Sequence, residues 1–230
     1  MSAITPKRYT CYRAASPLKI DGHLTDGPWK AAPWTDLFVD IEGDAKPLPR
    51  FATRAAMLWD DEFFYFAADM EEPHVWGTLT KRDSVICNDN DFEIFLDPDG
   101  DGEHYMEFEI NPLNAVWDLY LPKAYNKGGK ADHAWDFVGI RHAVQIDGTV
   151  NCADDEDRGW TVEVAIPWTA MSEYAGCDCP PKGGDAWRVN FSRVEWEWDY
   201  HQGGYLRREG VPCDNWVWSP QGEINMHIPE

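Results

Sequence analysis

The sequence predicts an all-β protein: an antiparallel β-sandwich, immunoglobulin-like or jelly-roll-like, with two short helices. Three observations predict it. Apolar and polar residues alternate through several stretches, the period-2 pattern of strands with one buried face. Pro (16 residues) and Gly (18 residues) punctuate the joints between those stretches, while long runs of helical periodicity are missing. Hydrophobic residues make up 43% of the 230, enough for a substantial core, so one domain over residues 1–230 is expected.

Taken in chain order, Asp26 is placed to cap a first short helix over Pro28, Trp29 and Ala32. Residues 53–70 read as two strands around a "DDE" turn, and 91–111 as a hairpin around "DPDGDG". "AVWDLYLP" (115–122) adds another strand. Residues 159–168 set Trp160, Val162, Val164 and Ile166 on one face, and Pro167 opens the second helix, through Met171. Residues 186–198 set Trp187, Val189 and Phe191 on one face. The stretches 122–134 and 199–215 read as long loops.

Composition excludes several classes of function. A net charge of −21 argues against a nucleic-acid partner, because phosphate binding needs clustered Lys and Arg. No apolar run reaches the roughly 20 residues of a membrane span. The first residues, "MSAITPKRYTCYRAA", lack the apolar centre of a signal peptide, so the chain as written reads as cytosolic or as having lost an export signal. Of the six Cys, the one close pair (Cys177 and Cys179) lacks C-x-x-C zinc spacing; free buried thiols, or one or two disulfides, are expected. No G-x-S-x-G, G-x-x-x-x-G-K or H-E-x-x-H occurs, and no organic cofactor is expected. Thirteen Trp exceed what a sandwich core of this size uses and hint at a ligand with flat faces.

The chemistry concentrates in residues 89–111, with nine carboxylates and neither Lys nor Arg. Placing Phe92, Ile94 and Leu96 against Ile110, Phe108 and Met106 puts six apolar side chains on one face. The other face then opposes Asp91 to Asn111, Glu93 to Glu109, and Phe95 to Glu107. Like charges so opposed, with Cβ atoms about 5 Å apart, are destabilising. That face must therefore be open to water or built around a ligand. Carboxyl groups at this spacing suit saccharide hydroxyls, with Glu93, Glu107, Glu109 and Asn111 as contacts. The alternative is a glycan-active enzyme, a hydrolase or lyase, with Glu93 and Glu109 as the catalytic pair, a spacing that suits the nucleophile and acid of a retaining glycosidase. Trp76, Trp135 and Trp216, all near loops, are candidate stacking platforms. In "DPDGDG", Asp97, Asp99 and Asp101 alternate ahead of Gly102 as hard oxygen donors for calcium. Phe108 at the twelfth position and flanking strands exclude an EF-hand.

Four motifs in order carry a resemblance: "PLKIDGHLTDGPWKAAPW", "MLWDDEFFYFAA", "DNDFEIFLDPDGD" and "GWTVEVAIPW". The chain resembles the family 9 carbohydrate-binding modules and their single-domain relatives over roughly residues 17–229. The resemblance implies a calcium-containing β-sandwich that binds saccharide or polysaccharide without turning it over, in an extracellular setting. It places Glu93 where the family contacts sugar hydroxyls. It also brings departures: Glu109 stands where sugar-binding members have Arg, and Cys87 and Met226 stand where they clamp a terminal sugar between two Trp. Relatives carry a final strand after the stretch matching "WSPQGEINMHIPE", so a missing or differently closed last strand is expected. A haem-binding relative of the sandwich is disfavoured, since no facing His–Met pair stands out.

Overall fold

The alternating runs become thirteen strands, β1 to β13, in a computed structural model that describes residues 5–25 and 27–229. One sheet takes the order β1 (Tyr12–Arg13), β3 (Thr53–Trp59), β4 (Phe63–Glu71), β9 (Gly159–Pro167), β8 (Arg141–Asp147). The second takes the order β2 (Val39–Asp40), β13 (Asp214–Val217), β10 (Arg188–Glu195), β5 (Asp91–Asp97), β6 (Glu103–Ile110), β7 (Val116–Lys123). A separate hairpin joins β11 (Trp198–His201) to β12 (Gly204–Arg207). All pairings are antiparallel except β1 with β3, which is parallel.

The two large sheets bury their inner faces against each other, as the period-2 reading requires. Phe66, Phe92, Ile94, Phe108, Val164 and Phe191 lie wholly inside this shared core. Trp160, Val162, Val164 and Ile166 all join it, as expected from their spacing. The first helix is a 3-10 turn, Gly27–Ala31, with Trp29 buried; the capping role assigned to Asp26 lies outside the described residues. The second is a single α-turn, Trp168–Met171, preceded by Pro167 in extended conformation at its N-cap.

The expected loop at 199–215 is corrected by β12 and by parts of β11 and β13. The β11–β12 turn places Gln202 and Gly203 at φ +52° and +86°, a mirror-image two-residue turn that is usually announced by Asn-Gly. Strand β8 was also missed, because it is an edge strand whose residues are mostly half-exposed and show weak alternation.

Two of the sequence motifs are structural clasps. Glu163, on the outer face of β9, accepts from Asp21 N–H (2.8 Å), Gly22 N–H (2.6 Å) and the Trp29 indole (2.6 Å). The I-D-G…W segment is thus bolted onto the sheet. A Cβ on Gly22 (φ +86°) would come within 2.9 Å of the Val144 and Gln145 backbone, so only glycine fits. In the W-D-D-E turn, Asp60 Oδ1 accepts from Glu62 and Phe63 N–H (2.8 Å each), and Tyr65 donates its hydroxyl to Oδ2 (2.6 Å).

At one end of the sandwich, Arg193 of β10 is buried between the sheets. Its guanidinium meets Glu72 Oε2 and Glu195 Oε2 at 2.8 Å, and donates to Thr53 Oγ1 and Glu71 O at 2.9 Å. The six cysteines are all free thiols. Among the described residues, no helix is long and apolar enough to cross a membrane.

Candidate functional site

The hairpin register follows the reading from hydrophobic alternation. Phe92 pairs with Ile110, Glu93 with Glu109, Ile94 with Phe108, Phe95 with Glu107, and Leu96 with Met106. The acidic face therefore forms on the outside of the six-stranded sheet. It is not open to water, however. Asp91, Glu93, Glu107 and Glu109 are 0%, 2%, 3% and 2% exposed.

The cover comes from segments remote in sequence. The turn Ile86–Asn88 lies across the hairpin, with Cys87 N–H donating to Glu109 Oε2 at 2.9 Å. Ile86 packs with Tyr105, Trp117, Leu119 and Leu121 in an apolar patch on this face. From the C-terminal segment, His227 Nε2 comes within 3.9 Å of Glu107 Oε2.

The four acids are poorly answered. Asp91 Oδ1 accepts from Val194 N–H at 3.1 Å, but Asp91 Oδ2, Glu93 Oε2 and Glu107 Oε2 have no hydrogen-bond partner. Ser192 of β10, paired with Glu93 of β5, keeps its hydroxyl beside that carboxyl but outside hydrogen-bond geometry. Burial pushes the Glu93 carboxyl up to about 8. Burial first, then repulsion from neighbouring acids, pushes Asp91, Glu107 and Glu109 well above the usual carboxylate range.

Several predicted contacts are corrected. Asn111 has no capacity left for a ligand: its amide donates to Leu79 O (2.8 Å) and Asp89 Oδ2 (2.9 Å), and accepts from Leu113 and Ala115 N–H. Trp76, 1% exposed, stacks on Tyr205 in the interior. Trp216, 2% exposed, packs edge-on against Phe51 beneath the Arg193 guanidinium. Trp135 is half-buried, edge-on to Phe137. Trp76 and Trp216 are thus core residues and Trp135 packs against the core, so none is a free platform. The alternative catalytic pair, Glu93 and Glu109, is sealed under the Cys87 turn, with no open approach for a glycosidic bond.

What the structure does open is a cleft of about 510 Å³ beside the acidic face, along β5 and β10. Phe95, Tyr105, Arg188, Gln221, Met226 and His227 line it. The Tyr105 hydroxyl lies 3.0 Å from His227 Nδ1, and His227 meets Tyr125 edge-on with ring centroids 4.5 Å apart. Gln221 Oε1 is buried without a partner. The cleft thus offers the half-buried Phe95 and His227 rings and the Arg188 guanidinium, a mixture suited to a polar, ring-shaped ligand. Local alternation misses it, because its residues come from four segments distant in sequence. The expectation that an Asp91-to-Glu109 face would either be hydrated or hold the ligand directly left no place for a neighbouring cleft.

A second cleft, about 680 Å³, lies on the five-stranded sheet, but there Arg54 covers the Trp34 ring at 4.6 Å and pairs with Asp69 at 2.8 Å. Its principal aromatic face is already occupied.

Among the described residues, three acidic clusters have the reach of a cation site. In Asp83, Asp118 and Asp136, Arg82 already bridges Asp118 and Asp136. In the turn, the oxygens of Asp97, Asp99 and Asp101 lie within 4.8 Å of one another, and Gly100 and Gly102 N–H groups orient Asp97 from 2.9 and 3.0 Å. Converging, all-oxygen donors on a Gly-rich turn fit calcium. The third cluster is Asp91, Glu93 and Glu109.

The fold is thus a two-sheet sandwich with a polar-aromatic cleft on one outer face. The chain belongs to the carbohydrate family 9 binding domain-like family, whose sequence model matches residues 20–179. Among solved structures, a family 9 carbohydrate-binding module from Caldicellulosiruptor kristjanssonii in complex with cellotriose is similar, with TM-score 0.53 and 16% identity over 89% of this chain and 82% of that one. One in complex with glucose, from the same organism, gives TM-score 0.55 and 18% identity over 89% and 83%. A protein from Bacteroides uniformis, named as a candidate carbohydrate-binding protein, gives TM-score 0.61 and 16% identity over 87% and 84%. At such identities the likeness is one of fold. No curated protein matches the chain.

Proposed function

We propose that the protein binds a saccharide without turning it over, in the cleft along β5 and β10, and that its Asp97–Asp101 turn holds structural calcium. The observation that carries the reading is the cleft itself, on a family 9 scaffold whose similar structures were solved with cellotriose and glucose. Half-buried Phe95 and His227 supply ring faces, backed by the buried Tyr105, and the exposed Arg188 supplies hydrogen bonds to hydroxyls. Glu93, Glu107 and Glu109 form the acidic wall behind this surface, with Glu107 nearest His227. Replacement of the family's Trp clamp by Cys87 and Met226 points to a sugar other than a reducing-end cellulose chain.

Arg188 is exposed on its strand, so Arg188→Ala is expected to fold normally and to weaken binding to an identified glycan at least about tenfold, roughly a charged hydrogen bond's worth. Titration calorimetry of both proteins checks this, and equal affinities would remove the cleft from the account.

Calcium is expected to raise Tm by binding only the folded state. Asp99→Asn with Asp101→Asn, both on exposed turn positions, should diminish that rise. A wild-type Tm indifferent to chelation and readdition would show the turn to be merely solvated.

A further inference from the structure

We propose that Asp91, Glu93 and Glu109 form a second, buried site for a hard divalent cation, separate from both the saccharide cleft and the calcium turn. One oxygen from each of the three lies within 4.8 Å of the others. Even at the widest such spread the common centre lies about 2.8 Å from each oxygen, so an ion with metal–oxygen distances of about 2.4 Å need draw the three inward by only a few tenths of an ångström. Each side chain is at most 2% exposed, so bulk water does not screen their charges.

The independent sign of a missing ligand is the set of orphaned atoms around this point. Buried polar atoms nearly always have partners. Here Asp91 Oδ2 and Glu93 Oε2 have none, and the hydroxyl of buried Ser192, beside Glu93, has none either. Glu107 Oε2, on the same face, is a fourth orphan. Three other charged knots among the described residues are answered. Arg193 meets Glu72 and Glu195; Arg82 meets Asp118 and Asp136; Thr78, Leu79 and Asn111 donate to Asp89. Among the described residues, no Lys or Arg ion pair reaches Asp91, Glu93 or Glu109.

The surroundings also suit a metal. Val194 N–H holds Asp91 Oδ1 and Cys87 N–H holds Glu109 Oε2, the outer contacts that orient carboxylate ligands. Two adjacent strands, β5 and β6, fix the ligand backbones in register, with Glu93 opposite Glu109. An all-oxygen set selects calcium or manganese over zinc. Asp91 and Asp97 stand at opposite ends of β5, about 20 Å apart at strand rise, so the two cation sites are distinct.

The test uses the full chain carrying Asp99→Asn and Asp101→Asn, which disables the turn. This protein is expected to take up one Ca²⁺ per chain by calorimetry, without any saccharide. Adding Glu93→Gln and Glu109→Gln should abolish that uptake while keeping side-chain shape. A second measurement does not depend on the Gln variants folding: Mn²⁺ added to the turn-disabled protein should broaden the Cys87 and Val194 amide signals ahead of others. If no cation is taken up, if uptake survives both Gln substitutions, or if those two amides stay sharp, the proposal is wrong and protons alone neutralise the cluster.

Discussion

Arg193→Met is expected to destabilise the protein by about 3–5 kcal/mol, the usual result of removing one partner from a buried ion pair. For a chain of this length that is a fall in Tm of roughly 10 °C. The arginine has no exposed surface, and its loss leaves Glu72 and Glu195 buried together without a cation. Thr53 Oγ1 and Glu71 O, both contributed by the opposite sheet, lose their donor as well. Burial and the neighbouring Glu195 already push the Glu72 carboxyl well above its ordinary range. Adding Glu195→Gln should therefore recover part of the loss, because one of two uncompensated acids is then gone. Chemical denaturation of the three proteins measures both effects. A single variant as stable as wild type would mean that the two acids take up protons at little cost. The consequence reaches the site: Asn90, which follows the Cys87 turn, donates to Glu195 at 3.0 Å and accepts from Trp196 N–H at 2.8 Å, so loosening this knot loosens the cover of the acidic face.

Trp29→Ala is expected to cost a similar 3–5 kcal/mol, about what deleting a buried aromatic ring costs in a packed core. Trp29 is 2% exposed and packs with Leu18, Ala32, Leu58 and Tyr65 on the outer face of the five-stranded sheet. Its indole also donates to Glu163. Glu163→Gln is the milder companion, expected to cost about 1–2 kcal/mol, because its remaining oxygen still accepts from the Asp21 and Gly22 amides while one charged acceptor is lost. Amide exchange at Asp21 and Gly22 should accelerate in both variants ahead of exchange in β4 and β9. Protection unchanged at those two amides would show that the N-terminal segment is held by contacts other than this clasp.

The hairpin register was legible because its alternation is strict: Phe92, Ile94 and Leu96 admit one core-facing arrangement, and a one-residue slip would bury the acids in the sandwich. The I-D-G…W and W-D-D-E motifs were equally legible, and hydrogen bonds to Glu163 and Asp60 supply their physical reason. The fate of the acidic face was not legible. Whether Glu93 and Glu109 meet water depends on the Cys87 turn and on His227, and strand periodicity carries no information about either. Trp76 and Trp216 misled for a related reason, since a Trp near a strand end serves core and platform equally well until packing is known. Asn111 was chosen for its place opposite Asp91, yet its amide closes the turn that leads into β7. Arg193 gave no local signal, because its glutamates arrive from β4's end and from its own strand two residues on.

Saccharide recognition in the β5–β10 cleft is tested most directly by amide chemical-shift mapping of the full chain during titration with cellotriose, glucose and a panel of other oligosaccharides. The account predicts that at least one saccharide binds saturably and shifts the amides of Phe95, Tyr105, Arg188, Gln221 and His227 together, leaving Trp34 and Arg54 on the opposite sheet unmoved. A panel that shifts nothing, or a saccharide that binds while those five amides stay in place, would contradict it.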